Sequence, residues 1–249
     1  MMIKNSYLQF LLKDLLETPG LEGLSLKHVN GKTMNFGKKF DENSDCEVLP
    51  LFFDYQSIGT LAWIGSATED LANLTNLKDE TYQQIQLSLA PVLKLFELSE
   101  HEKGLEYYES VWEWVKKAHN LAPSLCDWTG IYFHESFLFS DLGTSPNLIV
   151  GPYAGEGTEH MKIPIDKGLC GLAFRERRVI NMADVHADPR HIACSLKTRS
   201  ELILPLYDQN GTMVAELDID SHTPGAFTVE LEEIFTNFAK TFVLPASSF

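Results

Sequence analysis

Two periods of apolar spacing divide this chain. A helical spacing of three to four residues runs through the N-terminal stretch, where Tyr7, Phe10, Leu11 and Leu15 share a side. It recurs in Lys78 to Leu98 through Tyr82, Ile85, Leu89, Val92, Leu93 and Phe96, and in Glu102 to His119 through Tyr107, Val111, Trp114 and Val115. That spacing predicts amphipathic helices. Thr18-Pro19-Gly20 stops the first, and His119-Asn120 with Pro123 stops the third. Between them the pattern is strand-like. Leu21 to Val29 and Thr33 to Phe36 flank an Asn30-Gly31 turn, which predicts a hairpin. CEVLPLFFDYQSIGTLAWIGS reads as a second strand pair, with Cys46 opening its first strand as a small core residue.

Strands resume after Ser124. CDWTGIYF places Trp128, Gly130 and Tyr132 on one face and Thr129, Ile131 and Phe133 on the other. Phe137 to Phe139, Asn147 to Pro152 and His160 to Pro164 continue as a meander, and Asp166-Lys167-Gly168 is a turn. Leu169 to Arg177 is a short helix, Val179 to Asn181 a short strand, and Ala183 to Lys197 a long loop of the kind that is functional or disordered. RSELILPL and GTMVAELDIDS form strands joined at Asn210-Gly211. Thr228 caps a closing helix to Val243 with Glu230 to Glu233 in its first turn.

The pattern contains a repeat. LPLFFDYQSIGTLAWIGSAT, from Leu49, and LPLYDQNGTMVAELDIDSHT, from Leu204, share a strand, polar turn, strand, loop and helix order. Placing Ser66 on Ser221 sets Trp63 against Asp218 and Gly65 against Asp220, so the first copy has the scaffold without the acids. We therefore expect two domains: residues 1–100, a reduced copy, and residues 101–249, which carry the site. Packing, dimerisation or covering of the second copy are the roles open to the first.

Composition narrows the function. The 249 residues are 44% hydrophobic, and the formal charge is −15 with acids dispersed along the chain. No Lys/Arg cluster appears, which argues against nucleic acid and anionic membrane as partners. No apolar run reaches the ~18 residues of a membrane helix. Lys13, Asp14 and Glu17 stand where a signal peptide would need a cleavage site, so a cytoplasmic location with reduced thiols is expected. Four scattered cysteines without a CxxC give neither a disulfide scaffold nor a zinc knuckle. His160, His186 and His191 are separated and lack ligand partners at suitable spacing, so no metal is expected. GEGTEHM lacks the lysine and spacing of a phosphate loop.

The chemistry lies between Gly168 and Ser221. Cys170 sits at the start of the short helix, where the helix field favours a thiolate. Cys194 lies in the long loop, with His191 and Lys197 three residues to either side. Glu216, Asp218 and Asp220 alternate with Leu217 and Ile219, and so project from one strand face; Glu201 opens the neighbouring strand. Such a row is either half-solvated or the floor of a pocket. In an apolar pocket the carboxylates cannot all ionise, and one becomes a proton donor.

DWTGIYF, LIVGPYAGEGTEHMKIPIDKGLCGLAF, DVHADPRHIACSLKTRSELILPL and LDIDSHTPGAF, in that order, resemble the GAF-domain family of free methionine-(R)-sulfoxide reductases. The resemblance runs from about Cys126 to the C-terminal helix. It implies an α+β GAF fold, a central antiparallel sheet with helices on one side and a pocket on the other, preceded here by the degenerate copy. It implies Cys194 as nucleophile in His-Ile-Ala-Cys and Trp128 and Tyr132 as pocket walls. Glu201, Asp218 and Asp220 become the acids, with Glu201 and Asp218 serving catalysis and Glu201 and Asp220 binding substrate. Cys170, in GLCG, is the leading resolving thiol, with Cys126 in reserve. His160 stands where the family has a further cysteine, and Ser195 follows Cys194 where the reductases usually have Asp. No bound cofactor is implied. An external dithiol such as thioredoxin would supply electrons, free methionine sulfoxide or a similar small molecule is the ligand, and a homodimer is open. A non-catalytic GAF module that binds a small molecule or senses redox state is the alternative reading.

Overall fold

The computed structural model describes residue 10 and residues 20–28, 33–37, 47–53, 56–65, 102–138, 146–156, 158, 160, 162–189 and 197–243. The expected helices before Gly20 and over Lys78 to Leu98, and Cys46, lie outside these apart from Phe10. The chain divides into two compact units, Met1–Glu109 and Ser110–Phe249.

The first unit contains an antiparallel sheet of β1 (Leu21–His28), β2 (Thr33–Gly37), β3 (Glu47–Phe53) and β4 (Gln56–Gly65), in the order β2-β1-β4-β3. Leu24 pairs with Trp63 and Leu26 with Leu61 across β1 and β4, and all four side chains are buried. These cross-strand apolar pairs give the sheet one core face.

The second unit is built on six antiparallel strands: β5 (Trp128–His134), β6 (Asn147–Ala154), β7 (Lys162–Pro164), β8 (Ile180–Met182), β9 (Ser200–Tyr207) and β10 (Met213–Ser221). Their order is β7-β6-β5-β10-β9-β8. One face carries Ile131, Phe133, Leu202, Leu204, Leu217 and Ile219, each almost wholly buried. Helix α1 (Glu102–His119) crosses the boundary between the units, and its His119 Nδ1 lies 3.2 Å from Thr129 Oγ1 on this apolar face. Helix α4 (Val229–Ala239) joins α1 through Trp114, which stacks on Phe238 with ring centroids 4.7 Å apart and donates its indole N–H to Thr241. Thr228 caps α4 by accepting from the Leu231 N–H, as its position in the sequence implies.

Three elements differ from expectation. The stretch around Phe137 is not a strand: α2 (Glu135–Leu138) is a single helical turn. Glu135 is buried, receives Asn147 Nδ2 and lies 3.5 Å from Lys162 Nζ, so it ties the turn to β6 and β7 and directs the chain out of the sheet. The strand expected from His160 begins only at Lys162. Within the long loop, Val185–Ala187 forms a 3-10 turn capped by Asp184.

Helix α3 (Gly168–Glu176) packs against β7, β8, β9 and β10, so one helix stands over the side of the sheet left for a pocket. Close approach explains Gly171. A Cβ there would lie 2.5 Å from the carbonyl oxygen of Ile165, closer than side-chain carbons come to backbone. Arg177, at φ 52°, ends the helix in the left-handed conformation that usually calls for glycine or asparagine.

Candidate functional site

Strand pairing assembles the site. In the β10–β5 ladder Asp220 faces Trp128, Asp218 faces Gly130 and Glu216 faces Tyr132. In the β10–β9 ladder Asp220 faces Glu201. Directly opposed residues of a sheet share a face, so Glu201, Glu216, Asp218, Asp220, Trp128 and Tyr132 all lie on the face opposite Ile131 and Leu217. The four acids are 0–4% exposed, which removes the solvated-strand reading of their alternation.

Helix α3 adds the thiol. Cys170 is buried in its first turn, with Sγ 3.6 Å from Asp218 Oδ2 and 3.9 Å from Glu201 Oε1. It donates to both carboxylates as the protonated thiol. The helix field, which by itself favours a thiolate, meets opposing carboxylate charge here.

Aromatic rings form the opposite wall. Trp128 stacks on Tyr153 at 5.8 Å between centroids and tilts against Tyr132 at 6.1 Å. The indole lies over Gly130, where a Cβ would come within 2.2 Å of Trp128 Cη2. Trp112 fixes the next strand by donating its indole N–H to the Tyr153 carbonyl at 3.0 Å. The Tyr132 hydroxyl donates to the His160 carbonyl at 2.9 Å. Trp128 Nε1 is buried with no hydrogen-bond partner, a donor held in reserve beside the acids.

Burial dominates the electrostatics. It holds Asp218 up at about 7, against the hydrogen bonds from Cys170, Glu201 and the Ile219 backbone that favour ionisation. Glu201 is raised well above the carboxylate range by burial and then by Asp218, Asp220 and Glu216. Burial and Asp218 raise Glu216, with the nearby Cys170 thiol opposing. Asp220 is raised by burial, Asp218 and Asp127, with Thr198 opposing. Among the described residues no basic side chain pairs with Glu216, Asp218 or Asp220, and Glu216 has no hydrogen-bond partner beyond the Cys170 thiol. A face with this surplus of acid takes up protons or a cation.

Of the expected site residues, Cys170, Glu201, Asp218, Asp220, Trp128 and Tyr132 thus share one side of the sheet. Cys194 and His191 lie outside the described residues. Lys197 is exposed and pairs with Glu156 at 3.4 Å. Cys126 is buried, and burial pushes its thiol up to about 11, which suits a packing residue rather than a reactive one. Two residues join the site beyond those expected. Glu216 was already in the alternation that groups Asp218 with Asp220. Tyr153 had no such signal, because its place depends on the β5–β6 register, where it faces Gly130.

The family match falls on this second unit. The GAF domain family matches residues 118–243. Protein YtsP of Bacillus subtilis is 35% identical over 115 residues, 46% of this chain and 65% of that protein. Free methionine-R-sulfoxide reductase of Escherichia coli is 36% identical over 107 residues, 43% of this chain and 58% of that protein. The Saccharomyces cerevisiae protein of the same name is 34% identical over 94 residues, 38% of this chain and 48% of that protein. The chain therefore spans less than two thirds of the length of each of these relatives. No helix among the described residues is long and apolar enough to cross a membrane. With just over half of its residues matched, the ladder order and the buried site all in the same unit, the chain belongs to the GAF domain family.

Proposed function

We propose that this chain is a thiol reductase of free methionine (R)-sulfoxide. The observation that carries the reading is the buried acid face between the Cys170 thiol and the Trp128–Tyr132–Tyr153 wall. Two relatives bear the name of that activity. The ligand's ammonium group neutralises carboxylates of this face, with Asp220 opposite Trp128 and Glu201 opposite Asp220 in the ladders. Its sulfur and methyl group lie against the indole, a soft contact for a polarisable atom. Trp128 Nε1 is an unused donor for the carboxylate or the sulfoxide oxygen.

The chemistry then runs in three steps. The Cys194 sulfur attacks the sulfoxide sulfur, and a protonated acid, Asp218 or Glu201, donates to the sulfoxide oxygen. Oxygen passes to Cys194 as a sulfenic acid, and methionine leaves as the thioether. Cys170 next attacks the sulfenic sulfur, forming a disulfide and releasing water. An external dithiol of the thioredoxin kind reduces the disulfide through a mixed-disulfide intermediate. Asp218, poised near 7, both gives and regains a proton at neutral pH.

The test is methionine formation from free methionine (R)-sulfoxide and dithiothreitol. We expect turnover in the full chain and none above background in Cys194→Ser. A full chain no faster than that variant would instead favour a GAF module that binds without turnover.

A further inference from the structure

We propose that Cys170, Glu201 and Asp218 form a binding site for a thiophilic divalent cation of the zinc class, with Glu216 as the fourth negative group, and that the cation excludes an ammonium-bearing ligand from the same carboxylates. The three ligand atoms lie within 4.8 Å of one another, and all three residues are buried. The sulfur-to-oxygen separations of 3.6 and 3.9 Å are close to the edge of a tetrahedral zinc site. Bonds of about 2.3 Å to sulfur and about 2.0 Å to oxygen place that edge at about 3.5 Å. Small side-chain shifts therefore close the set around an ion.

Glu216 is the second, independent observation. It is fully buried on the same face, two residues before Asp218 on β10, and its oxygens have no hydrogen-bond partner beyond the nearby Cys170 thiol. Asp218 Oδ1 is likewise unpartnered. One ammonium group answers one negative charge, whereas this cluster offers a thiol and three carboxylic groups. A dication answers two, and its binding releases the thiol and carboxyl protons to solvent, so affinity rises with pH. Calcium and magnesium fit poorly, because calcium takes six to eight oxygens and magnesium keeps its waters, and neither gains from sulfur. The sequence hides the set because its members stand 31 and 17 residues apart on three elements. Inhibition of reduction by the cation, through the occupied Cys170 sulfur, rests on the reductase reading; binding of the cation does not.

Titration of the reduced, metal-free full chain with Co2+ in thiol-free buffer tests the site. We expect one Co2+ per chain, a near-ultraviolet thiolate-to-cobalt charge-transfer band, and displacement by Zn2+. Cys170→Ser should lose the band, Cys194→Ser should keep it, and Glu216→Gln should weaken binding about tenfold or more. No band, a band that survives in Cys170→Ser, or one lost in Cys194→Ser would overturn the proposal. Circular dichroism checks each variant's fold. If Cys170→Ser does not fold, Asp218→Asn decides: it keeps the thiol and must still weaken Co2+ binding, and unchanged affinity overturns the site. Excess free methionine (R)-sulfoxide added to Cys194→Ser, which keeps the Cys170 thiol because it cannot turn over, should reduce the band. Binding of Co2+ that the sulfoxide leaves untouched would overturn the exclusion and count against the reductase reading, with the cation site standing. Turnover without Co2+ binding would do the reverse.

Discussion

The two sheets of this chain share a strand order and differ in one face. The first runs β2-β1-β4-β3, and the middle of the second runs β6-β5-β10-β9. Each numbers its strands the same way: first and last side by side at the centre, second and second-to-last flanking them. Matching Leu49-Pro50-Leu51 to Leu204-Pro205-Leu206 aligns their partners too. Leu49 pairs with Leu61, and Leu204 pairs with Leu217. Leu61 therefore corresponds to Leu217, Thr60 to Glu216, Ala62 to Asp218 and Ile64 to Asp220. This corrects the gapless pairing of Ser66 with Ser221, which is off by one because the chain from Leu49 to its partner Leu61 is one residue shorter than that from Leu204 to Leu217. A slip of one exchanges the two faces of a strand. In the corrected register the buried Leu61 and Trp63 fall on Leu217 and Ile219, while every acid falls on an uncharged residue. We propose on this basis that the first sheet is a reduced copy that kept its apolar face and lacks the chemical one.

The largest expected effect comes from making the second sheet like the first. Asp218→Ala installs the residue found at position 62. If Asp218 donates the proton, methionine sulfoxide reduction falls at least about a hundredfold. Stability should not fall with it, because the change removes a buried carboxylate from a cluster of four. Turnover kinetics and thermal melting at pH 8 check the pair of outcomes. Full activity in Asp218→Ala would remove Asp218 from the mechanism and leave Glu201 as the donor.

The apolar faces should respond alike where the acid faces cannot. Leu61→Ala and Leu217→Ala each truncate a fully buried leucine in a central strand. Each should cost about 2–5 kcal/mol in its own unit by chemical denaturation of the full chain. A neutral Leu61→Ala would separate the two sheets and sink the correspondence.

How far the sequence reached follows the same division. Alternation in VAELDIDS and DWTGIYF was enough to sort side chains onto faces, since a period of two is local. It could not tell a solvated face from a covered one, because the cover, α3 with Cys170, comes from 31 residues before Glu201. Nor could it give the β3–β4 register, which a turn length decides. Phe137 to Phe139 reads as strand from its local pattern, while the buried contacts of Glu135 with Asn147 and Lys162 that anchor the turn at Glu135–Leu138 are long-range. Glu216 was visible in the pattern but absent from the family resemblance, and only its burial beside the Cys170 thiol marks it as part of the site.

The acid face should also write itself into the pH dependence of stability. In the unfolded chain Asp218 ionises near its ordinary 3.8, whereas the folded chain holds the proton to about 7. The native state thus binds more protons across that window, so stability is full below it and is lost as pH rises. Glu201, Glu216 and Asp220, raised in the same direction, extend the fall upward. The melting temperature of the metal-free chain should drop by roughly 5 °C from pH 5 to pH 8. Asp218→Ala should flatten the curve. A melting temperature that rises over this range would mean that the acids are ionised and paired.

The smallest effect lies at Gly130. The β1–β4 and β5–β10 ladders set Ser25 opposite Ala62 and Gly130 opposite Asp218, so the first sheet has a side chain where the second has none. It also has Gly23, facing Ile64, where the second has Trp128, facing Asp220. The glycine is needed only where an indole must lie flat on the strand, since a Cβ at 130 would meet the ring at 2.2 Å. Gly130→Ala lifts Trp128 off the acid face without touching a carboxylate or a thiol. It should raise KM for methionine sulfoxide roughly tenfold and leave the metal-binding cluster intact. Ser25→Ala, which adds no atom and displaces no ring, should do neither. An unchanged KM in Gly130→Ala with a shifted Trp128 fluorescence would show that the indole is packing, and that the acids alone distinguish the two sheets.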